Sequence, residues 1–233
     1  MNTINRITFS IVPSIALMFE VVACQKQTIV PVTQSESAAA VATTTVSTPA
    51  APKTLTDSAE NAEVIYDSAK AGNWADATAR AGLLQQSAAT YPDLATPAAT
   101  LAIHVTAHDR LEAMTVANEI TRQANELLRT YPAVTPVDVA MLDYEGRQLE
   151  IAVGRNSLPV LKDTTKQIRQ TWDEVRPQVI KRGGTAESSA FETLVAQLEH
   201  ANSIAEYKPI AASILNDVDL LEAVFTKNTQ PAA

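Results

Sequence analysis

The chain has 233 residues, with 26 acidic against 18 basic side chains and a formal net charge of −8. An acidic balance with no extended Lys/Arg run argues against nucleic acid as a partner and against docking on anionic headgroups. One cysteine leaves no internal disulfide, while six glycines, abundant alanine and 5% aromatic residues suit closely packed helices rather than sheet.

Residues 1–23 have the three parts of an export signal. Arg6 supplies the positive charge, Ile7 to Phe19 form a short apolar region, and small residues precede Cys24. The segment is shorter than the roughly 20 apolar residues of a membrane span and carries Glu20. Removing it takes away one charge of each sign, so the remainder is still at −8.

Val21-Val22-Ala23-Cys24 resembles the lipobox of bacterial lipoproteins. The resemblance implies cleavage before Cys24 and acylation of its sulfur and its new amine, giving a membrane partner through a lipid anchor. One acyl chain binds reversibly, and two or more hold stably, at about 0.8 kcal/mol per buried methylene. Ordinary secretion is the alternative, since Val21-x-Ala23 also fits a small-residue cleavage rule. Gln25 stands where Asp would mark inner-membrane retention, so in a Gram-negative envelope the expected address is the outer membrane, facing the periplasm.

Residues 24–54 are rich in Ser, Thr, Ala and Pro and poor in large apolar side chains after Val32. Such a stretch cannot offset its own ordering entropy and reads as a disordered tether. A flexible chain of that length spans roughly 30 Å root-mean-square.

From residue 55 to 227 the apolar period is helical, and the expected fold class is all-α. Asp57-x-x-Glu60 reads as a capping box opening the first helix, with Ala59, Ala62, Ile65, Tyr66 and Ala69 on one face. Gly72 stops it, and a second helix runs from Trp74 to about Thr90. Thr96-Pro97 is expected to open a short third helix ending near His108-Asp109. The fourth carries Ala113, Val116, Ala117, Ile120, Ala124, Leu127 and Leu128 on one stripe, with Glu112, Glu119, Arg122, Glu126 and Arg129 opposite.

The fifth helix, opened by Thr135-Pro136, has two apolar arcs. Val137, Ala140, Met141, Tyr144, Ile151 and Ala152 form one; Val139, Leu142, Gly146, Leu149 and Val153 form the other. A helix apolar on two sides is expected at the centre, covered on both. Asp143, Arg147 and Glu150 fill one seam, spaced for mutual pairing, and Asp138 and Glu145 share the other. The sixth helix follows Asn156-Ser157, carries Leu161, Thr165, Ile168, Trp172, Val175 and Val179 inward, and should kink at Pro177. Thr185 opens the seventh, with Phe191, Leu194, Val195 and Leu198 inward. Ser203-x-x-Glu206 caps the eighth, and residues 228–233 form a polar tail.

Eight helices in four antiparallel hairpins favour a compact helical bundle; the alternative is a tetratricopeptide-like α-solenoid, suggested by Ala71-Gly72-Asn73-Trp74. His104 and His108 stand four residues apart, a spacing at which one helical face could offer two imidazoles to a divalent transition metal. Asp138 and Glu145 form a charged seam that could supply carboxylates. The imelysin family of periplasmic metal-binding proteins also joins a lipid anchor to a helical bundle, but its His-x-x-Glu hallmark is missing. Ala107, Leu111 and Ser203 stand three residues after the three histidines. No nucleophile–base pair, phosphate-binding glycine loop or zinc-spaced cysteine set is present, so no enzymatic activity and no cofactor is expected. The leading expectation is a lipid-anchored envelope protein that binds or scaffolds a protein partner; the alternative is an envelope metal-binding protein using His104 and His108.

Overall fold

A computed structural model describes residues 49–227. The signal segment, Cys24, most of the tether and the tail lie outside the described residues. Eight helices and no strand occur among those described: α1 (Lys53–Ala71), α2 (Trp74–Ala88), α3 (Pro92–Thr106), α4 (Arg110–Leu128), α5 (Val137–Gly154), α6 (Leu158–Lys181), α7 (Thr185–His200) and α8 (Ile204–Lys227).

Local chemistry sets the ends of these helices. Gly72 and Gly183 close α1 and α6 with φ of 75° and 87°, a region glycine enters without steric cost. His108 and Asn156 take φ of 55° in the turns after α3 and α5. Asn73 and Asp109 cap the next helices by accepting from the backbone N–H groups of Asp76 and Glu112.

Two boundary expectations need correction. The first helix opens at Lys53 behind Pro52, so Asp57 lies a turn inside and pairs with Lys53 at 2.5 Å. Pro92 takes the first position of α3, leaving Pro97 within that helix. The eighth helix opens as expected: the Glu206 N–H donates to Ser203 Oγ, and the Glu206 carboxylate turns back to accept from Asn202 N–H at 2.7 Å.

The helices form two four-membered rings rather than a row of hairpins. In the first, α1 packs on α2 and α4, and α3 packs on the same two; α5 to α8 repeat this arrangement. A solenoid would leave α1 apart from α4, whereas here they lie side by side, so the fold is a compact bundle. Each ring has its own apolar core. One gathers Leu55, Ile65, Tyr66, Leu84, Leu94, Leu101 and Ile120; the other gathers Leu142, Ile168, Trp172, Phe191, Tyr207, Ile214 and Phe225.

The rings meet where α4 packs on α5. As expected for a helix with two apolar arcs, α5 serves both cores, giving Ile151 to the first and Val139, Leu142 and Leu149 to the second. Ala152, assigned by its spacing to the first arc, packs in the second core instead. Gly146 lets α8 come close: a Cβ there would sit 2.7 Å from Leu215 Cδ2 and 3.1 Å from Ile214 Cγ2.

Candidate functional site along α5

Polar chemistry concentrates on the flanks of α5. On the α1 side, the Arg147 guanidinium is nine-tenths buried and lies 5.3 Å from the centre of the Tyr66 ring. Its Nη2 reaches Asp143 Oδ2 at 2.9 Å, and Nη1 stands 3.7 Å from Glu63 Oε1, without a hydrogen-bond partner. The pairing of Arg147 with Asp143 follows the four-residue spacing. Glu150 does not join it: its carboxylate takes the Tyr66 hydroxyl at 2.9 Å and Lys70 Nζ at 2.7 Å, both from α1.

Acids outnumber cations around Arg147. Burial pushes Glu63 up to about 7, with Asp143 and Glu222 adding repulsion and Arg147 opposing it. Asp143 and Glu222 are also raised, in each case chiefly by burial. These side chains come from α1, α5 and α8, so the seam draws both rings into one electrostatic unit. Its partners on α1 and α8 lie beyond reach of any local spacing rule.

The opposite flank holds the second predicted pair, which the fold separates. Asp138, at the start of α5, pairs with Arg129 at 2.5 Å. Glu145 is 5% exposed and accepts from Thr171 Oγ1 of α6 at 2.7 Å, while its Oε2 has no hydrogen-bond partner. Burial raises its carboxyl to about 7, against the Thr171 hydrogen bond. A carboxyl raised by folding binds its proton more tightly in the folded state. Its penalty is therefore absent well below pH 4.5, grows as pH rises through about 7, and persists above. Glu145→Gln is expected to stabilise the fold by on the order of 3 kcal/mol at pH 8 and by almost nothing at pH 4. Urea denaturation at the two pH values checks this, and an equal change at both would contradict it.

Sequence reading also missed the buried polar residues of α4, of which Asn118 reaches α5. Asn118 and Thr121 are fully buried, and the Asn118 amide donates to the Tyr144 carbonyl at 3.0 Å. Met114, Asn118, Thr121 and Asn125 repeat at spacings of four, three and four, so the signal was present as a second seam beside the apolar one.

The histidine pair is built differently from its expected geometry. Helix α3 ends at Thr106, so His108 is not one turn along the same face from His104. His108 stacks on Trp74, with ring centres 4.8 Å apart and planes 10° from parallel, while His104 Nδ1 lies 3.9 Å from Asp109 Oδ2. Trp74 thus packs partly on an imidazole. Among the described residues, no group of three or more His, Cys, Asp or Glu is placed to share a metal ion.

At the far end of α5, the ends of α1 and α5 and the starts of α4 and α8 enclose a cleft of about 440 Å³. Lys70, Arg110 and Lys208 stand at it with Glu150, over an apolar lining that includes Leu111, Met114, Val153 and Ala211.

The fold and these flanks define an all-α protein of two four-helix rings joined through a shared central helix. No family model matches the chain, and no curated protein or solved structure is significantly similar to it.

Proposed function

We propose that this is a bacterial lipoprotein, held by acyl chains on Cys24, whose helical body binds or scaffolds a partner in the cell envelope. The observation that carries the reading is the sole cysteine of the chain, placed directly after Val21-Val22-Ala23 at the end of a short apolar segment. The anchor makes the membrane one partner, with the outer membrane as the proposed address in a Gram-negative cell. The body supplies concave surface and uncompensated charge along α5, which suits binding. No helix among the described residues is long and apolar enough to cross a membrane.

Fractionation of cells expressing the natural chain and Cys24→Ser tests this reading. The natural chain is expected in the membrane fraction and to incorporate labelled palmitate. The serine variant should lose the label, because a hydroxyl does not take up the thioether-linked diacylglyceryl group, and should leave the membrane fraction or retain its uncleaved signal. Equal labelling of both proteins would refute the proposal.

A further inference from the structure

We infer that the cleft at the α1/α4/α5/α8 corner binds a small organic carboxylate with an apolar body. This rests on the binding reading above and names a ligand class for it. The cleft is basic within an acidic chain: Lys70, Arg110 and Lys208 surround it against the single carboxylate of Glu150.

That carboxylate is already engaged by Lys70 and by the Tyr66 hydroxyl. Arg110 and Lys208 have no ion-pair or hydrogen-bond partner among the described side chains, whereas most other cations of the body are paired. Two uncompensated cations supply the complement to one anionic head. Beneath them, Leu111, Met114 and Val153 supply apolar contact, as in ordinary small-molecule sites.

Glu150 limits the charge on offer. Tyr66, itself fully buried, and Lys70 hold its carboxylate in place, so Lys70 is already neutralised and only Arg110 and Lys208 are left for an anionic ligand. The expected ligand therefore has one acidic group and an apolar remainder.

The test is a titration of the full chain, labelled at its methionine methyl groups, with 4-phenylbutyrate and with its neutral amide. The Met114 signal is identified by its loss in Met114→Leu. A saturable shift of that signal by the carboxylate is expected, with binding about tenfold weaker for the amide and for the Arg110→Gln/Lys208→Gln double variant, roughly two exposed charge contacts. Thermal unfolding of the double variant checks its fold, and each single variant provides a second comparison at about threefold. Absence of a saturable shift, equal affinity for acid and amide, or unchanged affinity in the folded double variant would overturn the inference. So would a response to phosphatidylglycerol vesicles alone, which would place a lipid headgroup there instead. A negative result would leave the Cys24 proposal standing, since fractionation and palmitate labelling test that separately.

Discussion

Replacing Arg147 by Met is expected to cost about 3–5 kcal/mol of folding stability at pH 8. The substitution keeps much of the apolar stem and removes the cationic head, which lies 5.3 Å from the centre of the Tyr66 ring. Asp143 then loses its 2.9 Å partner and Glu63 its nearest cation, while both remain among the carboxylates of α5 and α8. Both carboxyls already sit above their ordinary values, pushed there first by burial, and loss of the cation pushes them higher. The variant then carries unpaired charge or must take up protons to fold. At pH 5 Glu63, raised to about 7, is itself largely protonated in the natural protein, and Arg147 has one acid fewer to pair with. The loss caused by the substitution should therefore be smaller at pH 5 than at pH 8. Denaturant titrations at both pH values read this directly. A cost under about 1 kcal/mol, or one independent of pH, would mean that Arg147 does not hold the seam.

Trp172→Ala is expected to remove about 3–5 kcal/mol through the cavity it leaves. Trp172 is fully buried in the second core, with its ring 4.7 Å from that of Phe191. Its indole N–H also donates to Glu192 at 2.8 Å, fixing a carboxylate shared with Arg169 and Arg176. Trp74, on α2 in the first ring, is then the one remaining indole in the chain. Because α5 gives side chains to both cores, the Trp74 fluorescence transition should move to lower denaturant together with the loss of helicity. A Trp74 transition that stays in place while helicity falls in two steps would show that the rings unfold independently.

The helices themselves were legible because their buried faces are built from apolar side chains at helical spacing. Leu161, Thr165, Ile168, Trp172, Val175 and Val179 are all buried, as the pattern of α6 requires. The double-sided character of α5 was legible for the same reason, and it correctly marked the centre of the molecule. The first turns of α1 and α3 were less so: Asp57 and Pro97 are acceptable both as helix openers and one turn inside, and local chemistry does not separate the two. Ring closure of α1 on α4 was out of reach, because it is decided by contacts between helices far apart in sequence.

The charged seam was half legible. Arg147 and Asp143 meet through the four-residue repeat within one helix, but Glu63, Lys70 and Tyr66 enter from α1 and Glu222 from α8. Asp138 and Glu145 share a face by number yet fall to different neighbours, Arg129 and Thr171. His104 and His108 show the sharper limit. Their spacing has meaning only while the helix continues, and α3 stops between them.

The most direct measurement is the mass and terminal sequence of the polypeptide recovered from cell envelopes. The account predicts a chain that begins at Cys24 and exceeds its peptide mass by a diacylglyceryl group, with or without a further acyl chain on the amine. Recovery of a chain with an unmodified Cys24 thiol, or with an N-terminus elsewhere, would contradict it.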